Sequence, residues 1–158
     1  MIRFVLLWLL MPICVFAQTD TEFWFVAPEV QQSHGDRPIT VRLSTAQQAA
    51  SVQISMPINP GFPPINAIIP PNTTQSFDLT LWVDLLENKP ADVVLDKALR
   101  IFSSSPITAY YEVVTSCNCN PDIFTLKGRN ALGTSFMLPF QTFLNNGVGN
   151  AWSGFDIV

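Results

Sequence analysis

The chain has 158 residues, of which 48% are hydrophobic and only 13% are charged, and its formal net charge is −4 at pH 7. Nucleic acids and anionic lipids are bound by clustered Lys and Arg side chains, so this acidic balance argues against both as partners. The length suffices for one domain with a hydrophobic core of its own.

Residues 1–17 have the three parts of a secretory signal peptide. Arg3 supplies a positive charge, residues 4–16 are apolar, and the small residue Ala17 ends a cleavage site before Gln18. The apolar run is shorter than the roughly 18 residues that a membrane-spanning helix needs, which argues against a signal anchor.

A lipoprotein signal would place the lipid on Cys14, but Ile13 is bulkier than the small residue that usually precedes such a cysteine. We therefore expect cleavage after Ala17. The product would be a domain of residues 18–158, secreted or held at the cell surface, with no membrane span.

After the signal, apolar and polar residues alternate with the period of two that is typical of strands with one buried face. Residues 22–26 are apolar on both faces and predict a central strand covered on both sides. In six further stretches every second residue is apolar: Ile39, Val41 and Leu43; Val52, Ile54 and Met56; Phe77, Leu79 and Leu81; Leu99 and Ile101; Ile107, Ala109, Tyr111 and Val113; and Phe136, Leu138 and Phe140.

Turn-forming residues separate these stretches, and thirteen prolines punctuate the chain, for example at residues 59–61, 70–72 and 103–106. A single helical turn is predicted at residues 46–50 or 83–87. Short strands joined by turns indicate an all-β fold, an antiparallel β-sandwich.

Residues 152–158 have the pattern of a strand that is being entered where the sequence stops. We expect the sandwich to be incomplete at its C-terminus and the chain to be the N-terminal fragment of a longer protein.

Two cysteines remain after cleavage, Cys117 and Cys119, separated by one residue. Extracellular thiols are usually oxidised, but a bridge between residues two apart is strained, because disulfides prefer Cα atoms roughly 5.5–6 Å apart. Three states stay open: a strained local bridge, bonds to partners outside the chain, and free thiols. Zinc is not expected, since it takes four ligands and the chain has one histidine.

Candidate catalytic residues are few. His34 lies between Ser33 and Gly35-Asp36, and neighbours in sequence cannot face each other as a Ser-His-Asp triad requires. Two carboxylate pairs, Asp84 with Glu87 and Asp92 with Asp96, are predicted to lie in solvated loops. Glycoside hydrolysis needs one carboxyl group with a raised pKa, and nothing in these loops supplies it. We expect no catalysis and no cofactor.

Four segments resemble a known family: residues 22–29 (EFWFVAPE), 97–101 with 106–113 (KALRI and PITAYYEV), 120–128 (NPDIFTLKG) and 130–134 (NALGT). They follow the order found in the N-terminal domain family of IgG Fc-binding proteins. The resemblance implies a domain near the N-terminus of a large secreted or surface protein. Bacterial members often end in a sorting domain associated with gliding motility. The insert around Cys117 and Cys119 departs from the family pattern.

The candidate binding patch consists of aromatic and charged residues. Tyr110 and Tyr111 are adjacent on one strand, so only one can point inward, and Tyr110 with outward-facing Glu112 is the candidate contact surface. Lys127 and Arg129 form a small basic turn that could contact a carboxylate or sulfate on a glycan.

The sequence therefore predicts a binding or adhesion module of a larger extracellular protein, with an extracellular protein or glycan surface as its partner. The alternative is an accessory carbohydrate-binding domain of a secreted carbohydrate-active enzyme.

Overall fold

A computed structural model describes residues 18–29, 39–113, 121–138 and 154–158. Seven strands lie in this part of the chain: β1 Asp20–Phe25, β2 Ile39–Thr45, β3 Ala50–Ser55, β4 Ile65–Ile69, β5 Thr74–Asp78, β6 Leu99–Val113 and β7 Asp122–Leu126. The described helices are short: a 3₁₀ turn at Thr80–Trp82, the α-helix α1 at Val83–Leu86 and a second 3₁₀ turn at Gly128–Ala131.

Strand β6 organises the sheet. Its residues 100–102 pair with both β1 and β3, and its residues 109–113 pair with both β2 and β7, all antiparallel. Strand β4 extends the sheet beyond β3, and β5 extends it beyond β2. Four strands therefore meet along one central strand, and the sheet curls into a half-barrel.

The all-β prediction is confirmed, since the described chain is mostly antiparallel sheet. What the described residues form is one curled sheet rather than two packed sheets, so the predicted sandwich is not confirmed. The signal peptide at residues 1–17, His34, Cys117 and Cys119 lie outside the described residues.

The inner face of the sheet carries the core. Alternate residues of β6 are buried, apart from Ser105, with the intervening residues on the outer face. Three aromatic rings meet on the inner side: the ring of Phe25 lies 4.4 Å from that of Tyr111, and the ring of Phe124 lies 6.0 Å from Tyr111. Fully buried aliphatic side chains complete the core, among them Ile39, Val41, Leu43, Ile54, Ile69, Leu79, Ile101 and Ile107.

Residues 103–106, predicted as a turn, are instead the middle of β6. Strand β1 skips this stretch, because Asp20 pairs with Ile107 while Glu22 already pairs with Phe102. Pro106 therefore lies where β1 requires no backbone N–H, which is how a central strand tolerates it.

Serine hydroxyls take over the hydrogen bonding in this stretch of β6. The backbone N–H of Ser51 donates to Ser104 Oγ at 2.9 Å, and Ser105 Oγ donates to the carbonyl of Ala49 at 3.1 Å. Ser103 Oγ donates to the carbonyl of Ser105 at 2.7 Å. The three serines that suggest a turn in the sequence thus satisfy backbone groups where the strand pairing is interrupted.

The prediction that residues 22–26 form a central strand covered on both sides is wrong. Among the described strands β1 pairs only with β6, so it is an edge strand. Phe23 is fully buried, whereas Trp24 points outward and is 44% exposed.

The strand predicted to reach Leu81 ends earlier. Asp78 closes β5, its side chain accepts a hydrogen bond from the Thr80 backbone N–H at 2.8 Å, and the chain turns into the 3₁₀ helix. Leu81 is consequently 90% exposed. The helical turn predicted at residues 83–87 is confirmed by α1, and residues 46–50 are not helical.

The strand predicted around Phe136 and Leu138 is also absent from the described part of that segment. Residues 136–138 have no strand structure and are exposed, and Phe140 lies outside the described residues.

Candidate functional site

The outer face of β6 carries the first part of the predicted binding patch. Tyr111 is fully buried, and Tyr110 is half-buried on the opposite face together with Glu112. The prediction that only one of the two tyrosines points inward is confirmed. Tyr110 lies opposite Arg42 of β2 on one side and opposite Thr125 of β7 on the other.

Glu112 is held in place by an ion pair. Its carboxylate accepts a hydrogen bond from Arg42 Nε, and Arg42 Nη1 donates to Ser76 Oγ at 3.3 Å. We refer to Arg42, Ser76, Tyr110 and Glu112 as the Tyr110 cluster. Both charged groups retain exposure to solvent, so the ion pair contributes little to stability and leaves polar atoms at the surface.

The structure does not bring Arg129 to this cluster. The backbone N–H of Arg129 donates to Asp20 Oδ2 at 2.7 Å, and Arg129 Nε lies 3.8 Å from Asp20 Oδ1, at the start of β1. Lys127 follows Leu126, which pairs with Ala109, so Lys127 lies toward the opposite end of β7 from the position facing Glu112. The predicted patch is thus divided into two places.

Asp20 has a structural role at this second place. Burial raises the pKa of its carboxyl group, but hydrogen bonds from the backbone N–H groups of Arg129 and Thr21, together with the Arg129 charge, outweigh that effect. The net result is a pKa below the ordinary value of 3.8.

Replacement of this carboxylate should have a pH-dependent effect. Asp20→Asn is expected to lower the free energy of unfolding at neutral pH by about 1 kcal/mol, because the amide loses the charge that these donors stabilise. The folded-state pKa is lowered, so the contribution is present above 3.8 and is lost as the pH falls through the folded value. Urea unfolding at neutral and acid pH checks this, and a difference that does not change with pH would contradict it.

A second cluster on the outer face was not predicted from the sequence. Glu22 and Trp24 of β1 lie opposite Phe102 and Arg100 of β6, respectively, so the four side chains form a square across the two strands. The aromatic rings occupy one diagonal of the square and the charged groups occupy the other. We refer to these four residues as the Trp24 cluster.

The guanidinium group of Arg100 links the members of the Trp24 cluster. Its Nε donates to Glu22 Oε1 at 2.7 Å, and its Cζ lies 5.6 Å from the ring centroid of Trp24 and 5.4 Å from that of Phe102. Both distances are within the range of cation–π contacts. Trp24 and Phe102 nevertheless stay 44% and 46% exposed.

On the side of β3 the Trp24 cluster borders polar, uncharged side chains, whereas at the edge of β1 Trp24 lines a depression together with Pro28, Phe124 and Asp156. Gln53 of β3 lies opposite Phe102, and its side-chain Nε2 donates to Asn66 Oδ1 on β4 at 3.0 Å. Ser51, two residues before Gln53, lies on the same outward side of β3 and is exposed.

The predicted solvated carboxylates are only partly confirmed. Asp92 and Asp96 are exposed, but Glu87 is 2% exposed and forms an ion pair with Lys89 at 2.7 Å. The hydrogen bond to Glu87 is the main reason why the pKa of Lys89 is raised. Within the described ranges no group of three His, Cys, Asp or Glu side chains is arranged to hold a metal ion.

Comparison with known proteins adds little. No protein-family model matches the chain, and no curated protein matches it. The crystal structure of Thermotoga maritima 1070 is similar over 68% of this chain and 96% of its own, with 12% sequence identity and a TM-score of 0.38. A similarity this weak carries no argument. None of the described helices has the length and apolar character needed to cross a membrane.

Proposed function

We propose that this protein is a binding or adhesion module of a larger secreted or cell-surface protein, and that it acts through the outer face of its sheet without catalysis. The observation that carries the proposal is a row of outward side chains on β6: Arg100, Phe102, Tyr110 and Glu112 share one face. Aromatic and arginine side chains contribute most of the energy at binding surfaces, and an open sheet face suits contact with another surface.

Two features of the sequence support the same class. Residues 1–17 have the pattern of a signal peptide, which supports export. The four segments that resemble the N-terminal family of IgG Fc-binding proteins support a place in a large extracellular protein. The partner is then an extracellular protein or glycan surface.

The fold that accompanies this proposal is an antiparallel sandwich. Its layers are the two halves of the sheet, β4-β3-β6-β1 and β5-β2-β6-β7, which share β6. The single buried cluster to which both halves contribute supports this arrangement.

The alternative, an accessory carbohydrate-binding domain of a secreted enzyme, would use the same outer face. The coding sequence downstream of residue 158 separates the two. A catalytic domain there favours the alternative, whereas further β modules with a sorting domain favour adhesion.

Binding can be tested with the full chain in surface plasmon resonance against immobilised mucin, immunoglobulin G and fibronectin, each native and enzymatically deglycosylated. We expect wild type to bind at least one probe. Tyr110→Ala should weaken that binding by about tenfold or more, because it removes a rigid aromatic contact from the face.

Two further variants complete this test. Glu112→Gln breaks the charge pair with Arg42 while keeping the side-chain shape, and it should also weaken binding. Leu81→Ala removes a comparably large exposed side chain outside the sheet and should leave binding unchanged. Absence of binding to every probe, or equal binding by all variants, would contradict the proposed function.

A further inference from the structure

The Trp24 cluster combines two exposed aromatic rings with a charged pair that is internally neutralised. Deepening the proposed function, on which this step rests, we infer that the Trp24 cluster is the part of the outer face that binds sugar, and that its ligand is an uncharged hexose of a glycan.

The rings suit the apolar face of a sugar. The C–H bonds on one side of a pyranose carry partial positive charge, and the face of an aromatic ring is negative, so the two stack. Trp24 and Phe102 lie diagonally across the β1–β6 pair, which places their attachment points roughly 7–8 Å apart. Both rings remain about half accessible to solvent. Aromatic rings that serve only in packing do not need this exposure.

The hydrogen-bonding groups suit the hydroxyl rim of a sugar. Arg100 uses its Nε to bind Glu22, and a guanidinium group carries five N–H donors in all, while a carboxylate has about four acceptor positions. Donors and acceptors thus stand beside the rings. Paired hydroxyl groups, which both donate and accept, match such an arrangement.

The charge identifies the class of sugar. Arg100 and Glu22 neutralise each other at 2.7 Å, and Gln53 and Asn66 on the β3 side are uncharged and hydrogen-bonded to each other. The charged side chain that lines a depression with Trp24 is acidic, Asp156. A sialylated or sulfated sugar would gain no net attraction here. An apolar patch of a protein is a poorer ligand. It would cover the amides and the charged pair beside the rings without offering them hydrogen bonds, and their desolvation costs free energy.

The test uses the full chain on an array of neutral hexose oligosaccharides with sialylated and sulfated counterparts. We expect binding to neutral members. Trp24→Ala and Phe102→Ala should each reduce the signal by about tenfold or more, and Trp24→Phe, which keeps an aromatic ring, should retain part of it. Phe136→Ala is the matched control, because it removes an exposed aromatic ring outside the sheet.

The outcomes separate this inference from the proposed function. Loss of binding in the Trp24 and Phe102 variants, with cooperative thermal unfolding retained and an unaffected Phe136→Ala control, supports the sugar site. No binding to any neutral sugar overturns the inference, as does a signal confined to sialylated or sulfated members. If binding to the immobilised glycoproteins survives their deglycosylation, the inference fails while the proposed function stands. Failure to bind any glycoprotein or sugar contradicts both.

Discussion

Phe23→Ala should destabilise the protein by about 3–5 kcal/mol, whereas Trp24→Ala, one residue further along β1, should cost less than about 1 kcal/mol. Phe23 is fully buried on the inner face of the sheet, so its removal leaves a cavity in the core. Trp24 points to the outer face and loses only its partial contacts with Arg100 and β6.

Urea unfolding of the two variants, followed by circular dichroism, gives both free energies, and Trp24→Ala serves as the internal control. If the two costs were similar, β1 would be covered on both sides, as its apolar sequence indicates, and the outer position of Trp24 would be wrong. The sugar site inferred above would then lose its aromatic platform as well.

Gly128→Ala should lower the free energy of unfolding by about 2–4 kcal/mol, the second largest effect after Phe23→Ala among the changes considered. Gly128 has a φ of +53°, in the left-handed region, and a Cβ added there would lie 2.5 Å from Asp20 Cβ and 2.6 Å from Asp20 Oδ2. The clash falls at the root of the Asp20 side chain, so β1 or the turn after β7 must shift.

A double-mutant cycle separates the two causes. In an Asp20→Gly background the clash is absent, and Gly128→Ala should then cost only about 1 kcal/mol, the strain of the left-handed backbone. Thermal or urea unfolding of the four proteins provides the cycle. Equal costs in both backgrounds would show that contact with Asp20 is not the reason for glycine at this position.

The sequence predicts those strands whose two faces differ. Ile39, Val41 and Leu43 alternate with Thr40 and Arg42, and the structure buries the first three in β2. The alternation of apolar and polar residues fails as a guide where outward positions also hold apolar side chains. In β1 the outward positions hold Glu22 and an aromatic residue, Trp24, so the strand has few polar markers, and Glu22 is the one signal that the even-numbered residues point outward.

Strand continuity was harder to predict than strand position. Three serines and a proline form a standard turn signal, yet at residues 103–106 the same hydroxyls replace missing strand partners and β6 continues. These hydroxyl groups bond to Ser51 and Ala49, which are far away in sequence. No local pattern contains that information.

For the candidate site, the sequence indicated the outward Tyr110 and Glu112 but not their relation to other residues. Arg42 pairs with Glu112 across 70 positions and Arg100 pairs with Glu22 across 78. Pairing register determines both contacts, and register is fixed by the folded sheet. For the same reason the sequence groups Lys127 and Arg129 with Tyr110, although Arg129 instead pairs with Asp20.

The central place of β6 has a consequence for the order of folding. Before residues 99–113 have been synthesised, β3 can pair only with β4, and β2 only with β5, among the described strands. Isolated strand pairs of this kind are marginally stable in water. The chain should therefore remain loosely structured until β6 joins both pairs in one cooperative step. Because those contacts span distant parts of the sequence, that step should take milliseconds to seconds rather than microseconds.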